Sequence, residues 1–451
     1  MNNNIRVHFV LALLILRINA SASACATLNS AKFATSSTPN IQVTEKPTLT
    51  PVSISTIAPP FQVDAKCWEV KPLYYDSVEN FKGSFLVENS GDKIFARDIS
   101  TLKTKLIVNQ PSKRLFLSMN KKITGVMSND SLTLISSTQT QSFPLPDMGR
   151  DKYFGSTFFL SDGRVFFQES PRDHEEDYKN DGFTDIYYIF DPATGKTTKH
   201  SVFLPNFEKN SQGFYAIGYS PNIEYVIYRS TPTHKNVDSE YTLYNLETNR
   251  VLWIGPDHGS DISQGDGTML PAWMPDSSAL IYIFADSKNI TSNYYSVSLD
   301  NKLTQLTYFD NLIPYPWQTS PGIGSINTAN LSPNGQYLLF FVDPMDGSSN
   351  RKLYVWDNQT KTAYTPCLPY EEAAEFDYYT PWSPDSSNVI VNFRHYIPFT
   401  TDGPRVISDS WHVVLDLSNK TIFVVLNRNS QGYLTTLSDK GILDWVDWEI
   451  P

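Results

Sequence analysis

The sequence predicts an all-β protein, a seven-bladed β-propeller that takes up most of its 451 residues. Two observations carry this prediction. A short motif, a hydrophobic residue followed by Ser-Pro-Asp or a close variant, recurs seven times at intervals of about 50 residues, a period typical of propeller blades. The motifs are Leu117-Ser118-Met119-Asn120, Leu160-Ser161-Asp162-Gly163, Tyr219-Ser220-Pro221-Asn222, Trp273-Met274-Pro275-Asp276, Leu331-Ser332-Pro333-Asn334-Gly335, Trp382-Ser383-Pro384-Asp385 and Leu437-Ser438-Asp439.

The segments between the motifs have the pattern of β-hairpins, with two runs of β-forming residues joined by a polar turn. Seven such hairpins are predicted, at residues 93–108, 131–145, 185–202, 241–254, 294–307, 352–365 and 411–426. The first hairpin precedes every motif, and the last motif, with the segment that runs to Trp448, has no hairpin after it. We therefore expect the two ends of the chain to share one blade, which closes the ring and removes open sheet edges.

The motif copies resemble the TolB-like β-propeller family, a relative of the WD-repeat propellers. Trp382-Ser383-Pro384-Asp385, Asp185-Ile186-Tyr187 and Gln305-Leu306-Thr307 match its pattern, while other copies lack its glycine, as at Ser277 and Ser386. The resemblance covers about 80% of the chain and implies a propeller fold. It implies no single activity, because propellers of this family serve as binding scaffolds, as accessory domains of peptidases and, in some cases, as enzymes.

The N-terminus has the features of an exported, lipoprotein-like chain. Residues 1–24 combine Arg6, an apolar segment and small residues, as in a signal peptide. Cys25 then follows Ala22-Ser23-Ala24 in an arrangement that resembles a bacterial lipobox, so Cys25 is the predicted lipid anchor. The alternative is cleavage before Cys25 without a lipid. Residues 25–62 are rich in Ser, Thr and Pro and predict a disordered linker, which leaves residues 63–451 for the propeller.

Composition narrows the range of partners. Aromatic residues make up 13% of the chain, which suits many short, half-buried strands. The formal net charge is −11, without a basic tract, and this argues against nucleic acid and against anionic membrane surfaces. We expect a monomer that contacts a membrane only through the lipid. Export would let Cys67 and Cys367 form a disulfide, with two separate buried thiols as the equal alternative.

The long connections are expected to share one rim of the propeller, which we call the long-loop rim. Examples are residues 169–184, 256–270, 308–325 and 394–410, and the connection that holds Tyr370 lies on the same rim. Variable loops on a rigid scaffold are where binding usually takes place. The predicted partner-binding residues are the loop aromatics Tyr308, Tyr315, Trp317 and Tyr370. Packing of these rings against the sheet ends is the competing and more common interpretation.

One of these connections resembles a calcium-binding loop. Asp177, Asp181 and Asp185 stand at relative positions 1, 5 and 9, and Gly182 stands at position 6. Lys179 occupies the position where a further oxygen ligand belongs. The sequence therefore favours a solvated acidic loop without a cofactor, and calcium is the alternative.

The function that the sequence predicts is a non-catalytic, surface-tethered propeller scaffold that binds a polypeptide or a glycan. The sequence has no Gly-x-Ser-x-Gly element, no His-Glu-x-x-His motif and no cysteine metal cluster, so we assign no catalytic residue. The alternative is a secreted glycan-active enzyme such as a propeller-type polysaccharide lyase. For that enzyme, His258, His395 and His412 would have to converge.

Overall fold

The protein is all-β, and its strands form seven sheets that are the seven blades of a propeller. The computed structural model describes residues 62–74, 81–89, 93–99, 103–109, 114–128, 130–147, 152–171, 182–205, 211–232, 239–257, 272–285, 292–307, 326–342, 352–368, 374–376, 382–397, 406–426 and 442–448. Among these residues, no helix is long and apolar enough to cross a membrane.

Each blade is an antiparallel sheet of four strands, a to d, in spatial order. Two extra strands at the N-terminus are Gln62–Asp64 (β1) and Glu69–Tyr74 (β2). Blade 1 is formed by Ile442–Val446 (β30), Ser84–Asn89 (β3), Lys93–Asp98 (β4) and Thr104–Asn109 (β5), and blade 2 by Arg114–Leu117 (β6), Thr124–Met127 (β7), Ser131–Ile135 (β8) and Thr140–Pro144 (β9). Blade 3 is formed by Lys152–Phe159 (β10), Val165–Pro171 (β11), Gly182–Asp191 (β12) and Lys196–Pro205 (β13), and blade 4 by Ser211–Tyr219 (β14), Tyr225–Pro232 (β15), Ser239–Asn245 (β16) and Arg250–Asp257 (β17). Blades 5 to 7 are formed by Ala272–Trp273 (β18), Ala279–Ala285 (β19), Ser292–Ser298 (β20) and Leu303–Gln305 (β21); Ile326–Leu331 (β22), Tyr337–Val342 (β23), Lys352–Asp357 (β24) and Thr362–Tyr364 (β25); Ala374–Phe376 (β26), Asn388–Ile397 (β27), Val406–Asp416 (β28) and Thr421–Leu426 (β29).

All seven predicted hairpins are confirmed as the c and d strands of their blades. The expectation that the chain ends share a blade is also confirmed, since β30 pairs antiparallel with β3 in blade 1. The division of that blade differs from the one predicted. The C-terminal segment supplies strand a alone, and β3, β4 and β5 supply the other three strands. The motif Leu437-Ser438-Asp439 lies outside the described residues and precedes strand a, whereas the other motifs follow their strand a.

Apolar side chains from adjacent blades pack together all the way round the ring. Strand b is buried on both faces, so its successive residues serve two neighbouring interfaces. In blade 6, for example, Leu338 packs towards blade 5 and Leu339 packs towards blade 7. Blades 1 and 7 meet through Phe81 and Phe423, whose ring centroids are 5.6 Å apart. The ring of seven blades is therefore closed, as the sequence predicts.

The repeated motif forms the tight turn between strands a and b. In blade 4, the Ser220 hydroxyl donates to Oδ1 of Asn222 at 2.6 Å and accepts the backbone N–H of Tyr225 at 3.0 Å. The same pair of contacts recurs at Ser118, Ser332 and Ser383. In blade 3, Leu160 rather than Ser161 takes the serine position, because Asp162 follows it by two residues and bonds the N–H of Arg164. The alignment on Ser161 in the sequence analysis is therefore wrong by one residue.

The residue three positions after the start of each turn adopts the left-handed conformation. These residues are Lys121, Gly163, Ile223, Ser277, Gly335 and Ser386, with φ between 57° and 88°. Only two are glycine, although this conformation favours glycine. The two serines have a second role, because the Ser277 hydroxyl accepts the backbone N–H of Asn222 and the Ser386 hydroxyl accepts that of Asn334. These bonds link the turns of neighbouring blades.

The N-terminal residues Gln62–Tyr74, which we call the N-terminal strap, add a fifth strand to two blades. β1 pairs parallel with β25 at the outer edge of blade 6, and β2 pairs parallel with β29 at the outer edge of blade 7. These two strands were not predicted from the sequence, and Gln62 was expected to belong to the linker. The strap covers two sheet edges that would otherwise present unpaired backbone groups.

Candidate functional site

The predicted binding surface lies on the rim formed by the b–c and d–a connections. The a–b and c–d turns are short and lie on the opposite rim, which is the arrangement the sequence predicts. Most of the long-loop rim falls outside the described residues. The predicted residues that lie outside them are Cys25, Asp177, Asp181, Tyr308, Tyr315, Trp317 and Tyr370.

Asp185 is the predicted site residue that the structure places in a defined polar cluster. It lies in β12, at the last of the three acidic positions that resemble a calcium-binding loop, and is 5% exposed. The side-chain amide of Gln168 donates through Nε2 to both carboxylate oxygens of Asp185, at 3.0 Å to Oδ1 and 2.9 Å to Oδ2. The Asp185 carboxylate also accepts a hydrogen bond from the Tyr219 hydroxyl and one from the backbone N–H of Ile186. Since Tyr219 belongs to β14, this cluster joins blade 3 to blade 4.

Burial dominates the electrostatics of this cluster. Desolvation raises the pKa of Asp185 to about 6, against the hydrogen bonds from Tyr219 and Gln168 that lower it. Burial, followed by the charge of Asp185, raises the pKa of Tyr219 well above its ordinary value. Asp185 therefore changes charge in a mildly acidic range in which an exposed aspartate stays ionised.

A second polar cluster lies on the opposite face of blade 3, towards blade 2. The Tyr188 hydroxyl donates to Oε2 of Glu169 at 2.7 Å, and Glu169 is itself buried. Lys199 lies 3.7 Å from the same oxygen and 5.6 Å from the centre of the Tyr188 ring. Burial, with the Glu169 hydrogen bond second, raises the pKa of Tyr188. The two strands that lead into and out of the calcium-like connection thus carry buried carboxylates on both faces.

These contacts suit a structural cluster that anchors the connection between β11 and β12. Both carboxylate oxygens of Asp185 are directed to protein donors, so a metal ion would have to displace Gln168 or Tyr219 from them. Across the described part of the chain, no group of three or more His, Cys, Asp or Glu side chains has a geometry suited to a metal ion. Calcium at Asp177, Asp181 and Asp185 stays a prediction, because two of the three lie outside that part.

The histidines considered for catalysis are only partly placed. His258 lies outside the described residues. The backbones of His395 and His412 lie in the paired strands β27 and β28, where His395 is opposite Asp409 and His412 is opposite Asn392. This register separates the two backbones by about 10 Å along the sheet. His200 stacks on Tyr187 with ring centroids 5.2 Å apart, and burial lowers its pKa.

Cys67 and Cys367 are joined by a disulfide in the structure, with their Cα atoms 5.1 Å apart. Cys67 lies between β1 and β2, and Cys367 follows β25 in blade 6. The bond therefore ties the strap to the blade whose outer edge β1 extends. Of the two alternatives that the sequence leaves open, the structure has the paired one.

Several residues of these clusters were not singled out from the sequence. Gln168, Glu169 and Tyr219 are polar or aromatic residues within β-forming runs. A carboxylate in such a run, as at Glu169, is the sequence signal that could have pointed to a buried polar cluster. The partners of these three residues lie 17 to 34 residues away, on other strands or another blade, so the pairing itself has no local signature.

No protein-family model and no curated protein matches the chain. Solved structures with a similar fold include the β-propeller domain of the Trilobed protease from Pyrococcus furiosus, at 10% identity and a TM-score of 0.44, covering 73% of this chain and 95% of that one. A putative TolB from Agrobacterium tumefaciens is 14% identical with a TM-score of 0.33, over 76% of this chain and 88% of that one. Dipeptidyl peptidase 4 from Porphyromonas gingivalis is 10% identical with a TM-score of 0.43, and the match covers 78% of this chain and 50% of the peptidase. These are similarities of fold, and no residue role is transferred from them.

Proposed function

We propose that the protein is an exported, non-catalytic propeller scaffold that binds a polypeptide or a glycan through its long-loop rim. The observation that carries this proposal is the contrast between the two rims. On the short-turn rim, the motif serines, their Asx partners and the inter-blade bonds to Ser277 and Ser386 commit the side chains to the fold. The long-loop rim has the length and the aromatic content that a binding surface needs.

Export and the TolB-like assignment belong to the same proposal. The Cys67–Cys367 disulfide supports export, because structural disulfides persist mainly in oxidising compartments. Trp382-Ser383-Pro384-Asp385 and Asp185-Ile186-Tyr187 support a place among TolB-like propellers. Fatty-acid labelling of the expressed chain, compared with a Cys25→Ala variant, tests the lipid anchor; label that persists in the variant contradicts it.

The binding test uses the purified chain against a glycan array and against fractionated cell-envelope protein. A variant in which Tyr308, Tyr315, Trp317 and Tyr370 are replaced by serine is expected to lose at least about tenfold in affinity, since aromatic anchors dominate many interfaces. The matched control is the Tyr225→Ser variant, which removes an aromatic ring beside the short a–b turn of blade 4. This variant is expected to bind the partner as tightly as the wild type does.

The same preparation tests the glycan-active alternative. Polysaccharides are incubated with the chain and assayed for new unsaturated or reducing ends. Turnover without stable binding would contradict the scaffold proposal. Equal binding by the four-residue variant and by the wild type would reject the long-loop rim as the binding surface.

A further inference from the structure

The N-terminal strap lies along the outer edges of blades 6 and 7, which hold it through backbone and side-chain contacts. β1 aligns with β25 over three residue pairs, and β2 aligns with β29 over six. Between the two strands, the backbone N–H of Trp68 donates to the carbonyl of Pro366 at 3.1 Å, and the N–H of Glu69 donates to that of Lys420 at 3.3 Å. These contacts thus run across the junction of blades 6 and 7 and hold an extended polypeptide.

Trp68 is the apolar anchor of the strap. It is 6% exposed and packs in the cluster that joins blades 6 and 7, beside Leu353, Leu368 and Leu417. Its ring centroid lies 6.4 Å from that of Tyr364. The indole N–H is buried without a hydrogen-bond partner among the described residues. Apolar packing is therefore the contact that holds this ring in place.

Asp64 supplies the polar recognition. Its carboxylate lies 3.0 Å from the Lys420 ammonium, which also stands 4.1 Å from the centre of the Tyr364 ring. Its carbonyl accepts the backbone N–H of Thr365 at 3.2 Å. The Lys420 hydrogen bond lowers the pKa of Asp64. The outer edges of blades 6 and 7 therefore contact an acid and, after a spacer of three residues, a tryptophan.

The side chains of β2 contribute little to holding the strap in place. Val70 is 49% exposed within β2, and the Lys71–Glu69 ion pair is largely open to solvent. Such solvent-exposed pairs contribute little to stability. Pro72 lacks an N–H group, which limits the ladder that β2 can form. The strap therefore depends mainly on Trp68, on its backbone pairing with β25 and β29 and on the covalent bond at Cys67, with a smaller contribution from the partly exposed Asp64–Lys420 pair.

We propose that the outer edges of blades 6 and 7 form a binding site for an extended polypeptide with an aspartate four residues before a tryptophan. The strap of the same chain occupies this site, and the Cys67–Cys367 disulfide holds it there covalently. Cys67 is exposed, so a dithiol reductant can reach it. The reductant transfers two electrons and two protons: the protein disulfide becomes two thiols, and the reductant becomes a disulfide. The strap is then held by non-covalent contacts alone and can exchange with the same sequence supplied in trans.

The test uses the full chain with a protease site inserted between residues 76 and 77 and with Cys25→Ser to remove the third thiol. After cleavage, the probe is a labelled peptide of residues 62–74 with serine at position 67. In the disulfide form we expect no uptake of the peptide. In the Cys67→Ser, Cys367→Ser form, and in the reduced form, we expect the peptide to displace the strap with micromolar affinity, measured by fluorescence anisotropy.

Peptide variants test the recognition. A peptide with Trp68→Ala is expected to bind at least about tenfold more weakly, and one with Asp64→Asn is expected to bind more weakly than the parent. A peptide with Lys71→Ala is the matched control and should bind like the parent. Three results would overturn the proposal: uptake by the disulfide form, no uptake by the serine form, and equal binding of the Trp68→Ala peptide. Aggregation of the cleaved serine form on loss of the strap would also overturn it, because the strap would then be an integral part of the fold.

Discussion

The buried Asp185 carboxylate predicts that the stability of the propeller depends on pH in an unusual direction. Its pKa is raised from an ordinary value of 3.8 to about 6 in the folded protein. The folded state therefore binds the proton more tightly than the unfolded chain does, and the stabilisation from this proton is fully present below pH 3.8. It is lost as the pH rises through 6.

The size of the effect follows from the two pKa values. Linkage gives a stabilisation of about 1.4 kcal/mol at pH 5 and almost none at pH 7.5. Asp185→Asn removes the titration but keeps the size of the side chain. We expect the wild type to gain about 1.4 kcal/mol of unfolding free energy relative to Asp185→Asn between pH 7.5 and pH 5.

Urea denaturation of both proteins at the two pH values measures this difference, and the other carboxylates cancel because both proteins share them. The matched control is Asp191→Asn, at the last residue of β12. The Thr194 hydrogen bond lowers the pKa of Asp191. The ionised Asp191 carboxylate therefore stabilises the folded protein at both pH values of the experiment, and this contribution is lost only below pH 3.8. No change in the difference from wild type is expected for this control. If Asp185→Asn shows an equally constant difference, the carboxylate is not desolvated and the reasoning fails.

Three further substitutions test the turns and the ring closure by urea denaturation. Ser220→Ala removes the bonds to Asn222 and Tyr225 and should cost about 1–3 kcal/mol; the exposed Ser278→Ala is the control, and equal effects would contradict the role of the turn. Ser386→Ala and Ser386→Gly both remove the bond to the Asn334 N–H, but alanine keeps a side chain at φ 61°, so Ser386→Ala should be less stable than Ser386→Gly by about 1 kcal/mol; the reverse order would refute this. Trp448→Ala removes a ring that is 3% exposed and donates to the carbonyl of Lys122 at 2.8 Å, so it should cost about 3–5 kcal/mol. Val70→Ala, at an exposed site, should change stability by less than about 0.5 kcal/mol.

The blades were predictable because each repeat carries its own local signals. Ser220, Pro221 and Asn222 specify a tight turn through contacts within five residues, and the following hairpin shows its period in the sequence. Seven copies make the count secure even where single copies are imperfect. The error at Leu160 shows the limit of this approach, because a turn shortened by one residue keeps the geometry of its aspartate while the serine moves out of place.

The strap and the buried clusters were not predictable in the same way. β1 and β2 pair with strands about 300 residues or more further along the chain, and they belong to no repeat. Pro72 was the one hint, since proline within a β-forming run is typical of an edge strand. Asp185 shows the same difficulty at the level of one side chain. Its position in the Asp-Ile-Tyr segment is visible, but the neighbour Tyr219 comes from the next blade.

The left-handed serines explain why the short-turn rim is a poor place for a binding surface. At Ser277 and Ser386 a glycine would relieve the backbone, yet each serine hydroxyl holds the turn of the preceding blade. A change at such a residue removes a bond between two blades as well as altering one turn. Residues on that rim therefore cannot be exchanged freely to suit a partner. The connections on the opposite rim leave and re-enter strands whose ends are fixed by buried contacts such as Asp185 with Tyr219. Their sequences can vary while the ring of seven blades stays closed, which is the property that a binding surface requires.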